Sequence, residues 1–181
     1  MQNQQSTAQD ESATASKVDA ISTDFNLPVT LVSNSQTLDG KKKTSIFIDN
    51  VVIRQGSLEI LAQRVEADAA AGKGKEIIMA SGNPASYKQR LEDGTMVEAR
   101  ANEIVYEVGA RTISLKGVAS IVQNEIQVTG DSIVFDMAKE QILASSTADS
   151  SGPVTTVLSP GAFSNSTPSD KSKENENEED E

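Results

Sequence analysis

The sequence predicts an all-β protein built from stacked hairpins around one elongated core. Three observations predict it. First, apolar and polar residues alternate through 46–65, IFIDNVVIRQGSLEILAQRV, the mark of strands with one apolar and one wet face. Second, the pattern recurs twice at a spacing of about 33–35 residues, inside the roughly 20–50 window of stacked-repeat architectures. Third, no stretch of useful length carries a helical period.

In the first copy, Phe47, Val51 and Ile53 share one parity, interrupted at Asp49. Gln55-Gly56-Ser57 is the turn, and Leu58 and Ile60 alternate with Ser57 and Glu59 after it. Gly56 supplies a turn position with φ > 0 at little steric cost. A looser copy runs through 77–87 and 97–106, with Gly82-Asn83-Pro84 in the place of Asn50 and a longer turn at 91–94. In the copy at 113–134, Gly117-Val118 aligns with Asn50-Val51. Ile126 and Val128 replace Leu58 and Ile60 after a one-residue insertion. Each copy closes on a small residue, two polar residues and an apolar one: Ala62-Gln63-Arg64-Val65, Ala101-Asn102-Glu103-Ile104 and Gly130-Asp131-Ser132-Ile133. A lone hairpin cannot bury its apolar face, so the copies are expected to stack.

Around these copies, residues 1–25 hold little to bury and are expected to be disordered, save for a short helical turn near 20–25. The ordered domain is expected over 26–160. Val29 and Leu31 alternate with Thr30, and Pro28 places this strand at a sheet edge or at its own start. Asp39-Gly40 signals a hairpin beside Lys41-Lys42-Lys43, and 69–75 is a loop whose Gly-Lys lacks the spacing of a phosphate-binding loop. Strands are expected near 76–81, 84–90, 96–108, 111–123, 125–136 and 139–146. After a turn at 150–153, Val154-Thr155-Thr156-Val157-Leu158 is the last strand, stopped by Pro160. Residues 161–181 form a solvated acidic tail.

Composition narrows the chemistry. The chain has 181 residues, a net charge of −11, and neither cysteine nor histidine. Disulfides, thiolate or imidazole metal sites and Cys or His catalysis are excluded. The acidic balance argues against nucleic acid, whose phosphates need clustered Lys and Arg. Carboxylates at Glu92, Asp93, Asp136 and Glu140 fall at turns with no base or metal cluster beside them, so no enzyme and no cofactor is expected. No window reaches the roughly 20 apolar residues of a membrane span. The start of the chain shows no signal peptide, which leaves a cytosolic protein and a processed exported one both open.

The apolar faces are the informative feature. Val29 and Leu31 form one, Phe47, Val51 and Ile53 the next, then Ala85 with Tyr87, then Ile104, Tyr106 and Val108, then Ile133 with Phe135. Stacked, they make a long aliphatic interior. On the residues alone, a packed sandwich core is favoured over a ligand-holding trough. Tyr87 and Tyr106, whose hydroxyls need water or a partner, suit the mouth of a groove.

Three stretches together resemble the LptA-like, or OstA-like, family of periplasmic lipopolysaccharide transport proteins. They are DNVVIRQGSLEILAQRVEAD at 49–68, GKEIIMASGNPASYKQRLEDGTMVEARANEIVYE at 74–107 and LKGVASIVQNEIQVTGDSIVFD at 115–136. VTTVLSP at 154–160 resembles the family's closing strand. Asp49 stands where the family usually has Gly, and Gln63 where an acid commonly follows the Ala. The resemblance implies an open, twisted antiparallel β-jellyroll in the periplasm, its signal peptide removed, whose interior shields the acyl chains of lipid A. The implied lipid contacts are Val29, Leu31, Tyr87, Tyr106 and Val108, and the shared parity adds Phe47, Val51, Ile53, Ile104 and Phe135. The implied partners are lipopolysaccharide, an LptC-like protein at the N-terminal edge (Pro28, Val29, Thr30, Leu31), an LptD-like protein at the C-terminal edge (154–158), and further copies stacked head-to-tail. The alternatives are a related OstA-like periplasmic domain such as that of LptC, and a β-solenoid saccharide-binding or adhesin module. The latter needs exposed aromatics that a 3% aromatic chain does not supply.

Overall fold

A computed structural model describes residues 24–146 and 152–160. The expectations for 1–23 and for the acidic tail at 161–181 lie outside these residues. A 3-10 turn, Asp24–Asn26, leads into ten strands. They are β1 (Thr30–Val32), β2 (Ser35–Asp39), β3 (Thr44–Gln55), β4 (Leu58–Asp68), β5 (Ile77–Arg90), β6 (Met96–Glu107), β7 (Thr112–Gln123), β8 (Ile126–Asp136), β9 (Gln141–Ser145) and β10 (Thr155–Leu158). All pair antiparallel in one sheet of order β1-β3-β4-β5-β6-β7-β8-β10, with β2 also on β3 and β9 also on β8. The sheet does not close on itself, and the fold is an open β-jellyroll.

Each long strand is irregular at its middle, and the irregularities line up. Asp49-Asn50 on β3 stands opposite Gln63, Gly82-Asn83-Pro84 on β5 opposite Asn102, and Gly117-Val118 on β7 opposite Asp131. Extra residues on one strand bend it and raise its local twist. Asp49 and Asn50 have φ of 61° and 53°, and Gly117 and Val118 have 74° and 50°, so both bulges place two residues in the left-handed region. Asn83-Pro84 is a cis peptide.

Register corrects three sequence expectations. The four-residue signature closes nothing: Gln63, Asn102 and Asp131 sit mid-strand, opposite the bulges. Val51 pairs with Ala62 and Ala119 with Gly130, so Asp49-Asn50, not Asn50-Val51, is the equivalent of Gly117-Val118, and the supposed insertion disappears. The two strands expected at 76–81 and 84–90 are one bent strand, β5. The ends are shorter than expected. Pro28 and Val29 precede the β1 ladder, and Val154 precedes that of β10.

The bends divide the sheet into two facing layers. The first holds 44–48 of β3, its equivalents on β4–β8, and the edge strands β2 and β9. The second holds 51–55 of β3, its equivalents, and the edge strands β1 and β10. Their apolar faces form one cluster: Phe47, Val65, Ile104, Ile113 and Phe135 from the first layer, and Ile53, Leu58, Ile60, Val97 and Ile121 from the second. The alternation read from the sequence is therefore real on both sides of each bend. Polar residues face outward, joined by exposed pairs such as Arg54–Glu59 at 2.8 Å and Lys88–Glu98 at 3.2 Å.

Candidate functional site: the interior and its seam

All ten residues expected to line the interior face inward. Phe47, Val51, Ile53, Tyr87, Ile104, Tyr106 and Phe135 are buried, and Val29, Leu31 and Val108 are half-buried against the same cluster. The half-buried apolar side chains include Val29 and Leu31 beside β3, and Ile142 and Ala144 of β9 beside β8. Among the described residues, the interior thus runs the full width of the sheet, from β1 to β9, and ends on half-buried side chains at either side.

Opposite the bends, the free ends of the strands meet along a seam. Tyr106, near the end of β6, donates to Gln55 Oε1 on the last residue of β3 at 3.3 Å. Gln55 Nε2 donates in turn to the Leu27 carbonyl at 3.0 Å. Tyr87 donates to Gln89 Oε1 and lies 3.4 Å from Met137 Sδ, just past β8. Gln55 and Gln89 are only 4% and 1% exposed, so the seam is a buried polar line bounding an otherwise apolar, mainly aliphatic interior. Burial pushes both tyrosines up: Tyr87 well above the ordinary range, with Tyr106 beside it adding to the effect, and Tyr106 to about 12, with Arg111 pulling the other way. Both hydroxyls, protonated at neutral pH as any tyrosine's is, stay donors further into the alkaline range. A cleft of about 180 Å³ opens on the seam, with Leu91 and Met137 as apolar lining and Arg90, Glu92, Arg111 and Glu140 around them.

The strands expected to serve as partner edges fall at opposite ends of the sheet. Thr30 and Leu31 belong to terminal β1, and Thr155, Thr156, Val157 and Leu158 to terminal β10. All four residues of β10 are exposed.

Two of the four turn carboxylates, Asp93 and Asp136, have local duties. Asp93 accepts from the Thr95 amide and hydroxyl at 2.8 and 2.6 Å, which holds its carboxyl below the usual range. Asp136 accepts from the Ala138 and Lys139 amides and pairs with Lys139 Nζ at 2.6 Å, again lowering it. Among the described residues, no group of three or more Asp and Glu could hold a metal ion, and no helix is long and apolar enough to cross a membrane.

Sequence reasoning missed the glutamines. Gln55, Gln89 and Gln123 recur at an even interval of 34 residues. Each stands four residues after the small or branched residue that follows the bulge: Val51, Ala85 and Ala119. The period is visible in the sequence; Gln55 reads there as a turn residue, while Gln89 and Gln123 fall within the expected strands 84–90 and 111–123, where a polar side chain gives no sign of facing inward.

Comparison with known proteins agrees with this architecture. The family described as LptA/(LptD N-terminal domain) LPS transport protein matches residues 30–141. The lipopolysaccharide export system protein LptA of Haemophilus influenzae is 37% identical over 143 residues, 78% of this chain and 82% of that protein. Its counterpart in Escherichia coli K12 is 32% identical over 142 residues, 78% of this chain and 76% of that protein. The crystal structure of LptH, described as the LptA-homologous periplasmic component of the lipopolysaccharide transport device of Pseudomonas aeruginosa, has the same fold. Its TM-score is 0.69 at 24% identity, covering 76% of this chain and 99% of that one. A family match that takes in β1 to β8, and relatives this similar over more than three quarters of the chain, settle the affiliation: the chain belongs to the LptA/(LptD N-terminal domain) family of lipopolysaccharide transport proteins.

Proposed function

We propose that this chain is a periplasmic, non-enzymatic carrier that holds the acyl chains of lipid A between its two layers while the sugar stays at the seam. The observation that carries the reading is the single aliphatic interior running from Val29 and Leu31 to Ile142 and Ala144. Each acyl methylene exposed to water costs about 0.8 kcal/mol, so a lipid of several chains needs such shelter to leave a membrane. Aliphatic walls supply affinity without directional bonds, which suits a cargo that must slide on. Parting of the layers along the seam turns Phe47, Val51, Ile53, Tyr87, Ile104, Tyr106 and Phe135 towards the lipid. Val29, Leu31 and Val108 already stand at its margin.

Copies stack head-to-tail, with an LptC-like protein at the β1 end and an LptD-like protein at the β10 end. The strand directions support this. β1 and β2 both run antiparallel to β3, and β9 and β10 both run antiparallel to β8. Joining β1 of one copy to β10 of the next therefore continues the antiparallel alternation, and β2 with β9 does the same in the other layer. Added strands of this kind contribute backbone hydrogen bonds and lengthen the interior.

The test is a photoreactive phenylalanine placed at Phe135, fully buried, and at Leu143, 71% exposed. Lipopolysaccharide is expected to crosslink at the first position and not at the second. Equal capture at both, or none at either, overturns the reading.

A further inference from the structure

Aliphatic walls alone accept any hydrocarbon, because burial of apolar surface is non-directional. The seam is different. Gln55 and Gln89 bury primary amides beside the interior, and the hydroxyls of Tyr106 and Tyr87 donate to them. Gln123 is the third member at the same interval and is partly buried. It shares the inward parity of Ile121, as Gln55 shares that of Ile53 and Gln89 that of Tyr87. The three glutamines occupy every second strand, β3, β5 and β7, so their backbones are spaced by about 9–10 Å, two strand separations. They form a row along the direction in which the apolar interior runs.

Parting the layers breaks the Tyr106–Gln55 bond, which spans them. If plain hydrocarbon fills the gap, amide and hydroxyl groups are left facing methylenes, at the full desolvation cost of unmet polar groups. A ligand restores the balance only if it presents donors and acceptors at that depth. Acylated sugars do so, because each chain is joined to its ring through an amide or ester.

We propose that Gln55, Gln89 and Gln123, with the hydroxyls of Tyr87 and Tyr106, form a polar rail along the seam that selects lipids whose chains are joined through amides and esters. The proposal rests on the carrier reading above and names what that interior recognises. The rail favours acyl-linked saccharides over ether-linked or simple alkyl ones. Its even spacing offers the linkage groups similar partners at successive positions, so selection is kept as the lipid advances.

The experiment measures dissociation constants for two probes, hexa-acylated lipid A and a dialkyl-ether glycoside of equal chain length. They are measured on the full chain and on its Gln89→Leu and Tyr106→Phe variants. The wild type is expected to prefer lipid A. Each variant is expected to cut that preference by between about threefold and tenfold, the worth of one hydrogen bond, while binding the ether probe at least as tightly as the wild type. A preference unchanged in both variants, or an equal loss of both probes, overturns the rail and leaves the carrier reading standing. Failure of the wild type to bind either probe overturns both.

Discussion

Val118 is a β-branched residue held at φ 50°, and at 76% exposure it gains little from packing. A left-handed conformation costs an L-residue about 1–2 kcal/mol, and Asn tolerates it far better than Val. Val118→Asn is expected to raise stability by about 1 kcal/mol. Val122→Asn, further along β7 and outside the left-handed positions, should give no such gain. Paired urea denaturations check both. Asp49, at φ 61°, meets the same demand with a residue that suits it, which explains how a position where the family usually has Gly accepts a side chain here. Tyr106 makes a second prediction at this scale. An unfolded Tyr ionises near pH 10, whereas the folded one is held protonated up to about 12. Between those values the unfolded chain releases the proton first. The contribution is therefore complete below about pH 10 and is lost as pH rises towards 12. Tyr106→Phe should make the fall of the urea midpoint across that window shallower by up to one proton's worth.

The 3-10 turn Asp24–Asn26 is pinned to the β3–β4 turn by Asp24, which accepts the Ser57 amide at 2.8 Å. Gly56 allows this approach, since a Cβ there would overlap the Asp24 carboxyl, and its φ of +57° disfavours most side chains, alanine included. Gly56→Ala should cost about 1–3 kcal/mol by combining backbone strain with the lost contact. The penalty should be smaller when Asp24→Gly, which removes every overlapping side-chain atom, is already present; additive penalties would show that the clash is not what matters. Element by element, the sequence was legible where one local rule decided the outcome. Period-2 alternation gave β3–β8, Asp39-Gly40 gave the β2–β3 turn, and Pro160 marked the end of β10. It was illegible where the decision was non-local. Asp49-Asn50, Gly82-Asn83-Pro84 and Gly117-Val118 share no residue type, so only their alignment across strands reveals them as one line of bends. For the same reason, the division into two layers and the meeting of Tyr106 with Gln55 could not be read from spacing. The inward identity of the ten lining residues was legible, because each bend preserves an apolar face on both of its arms.

At the scale of the whole molecule, each end of the sheet is split between the layers, β1 and β2 at one end and β9 and β10 at the other. A row of edge groups open to pairing templates strand addition unless it is blocked. The proposed head-to-tail contact would join two different surfaces, so two-fold symmetry would not close it, and stacking of this kind would grow into open rods. The register identifies which groups would serve. Ser159 N donates to the Glu125 carbonyl, and Leu158 lies opposite Ile126, Val157 opposite Gln127 and Thr156 opposite Val128. In an antiparallel ladder, exchanged bonds fall on alternate pairs. Val157 therefore turns its amide towards β8, while Thr156 and Leu158 turn theirs away from it. Thr156→Pro removes one outward donor and leaves the bonds to β8 in place, a substitution that an edge strand accommodates. Sedimentation velocity over a concentration series is expected to show the full chain assembling beyond a monomer as concentration rises. The Thr156→Pro variant should stay monomeric, with an unchanged urea midpoint. Assembly that survives the substitution would place the contact on some surface other than the β10 edge. A wild-type chain that remains monomeric throughout would remove head-to-tail stacking from the account of how the interior is extended.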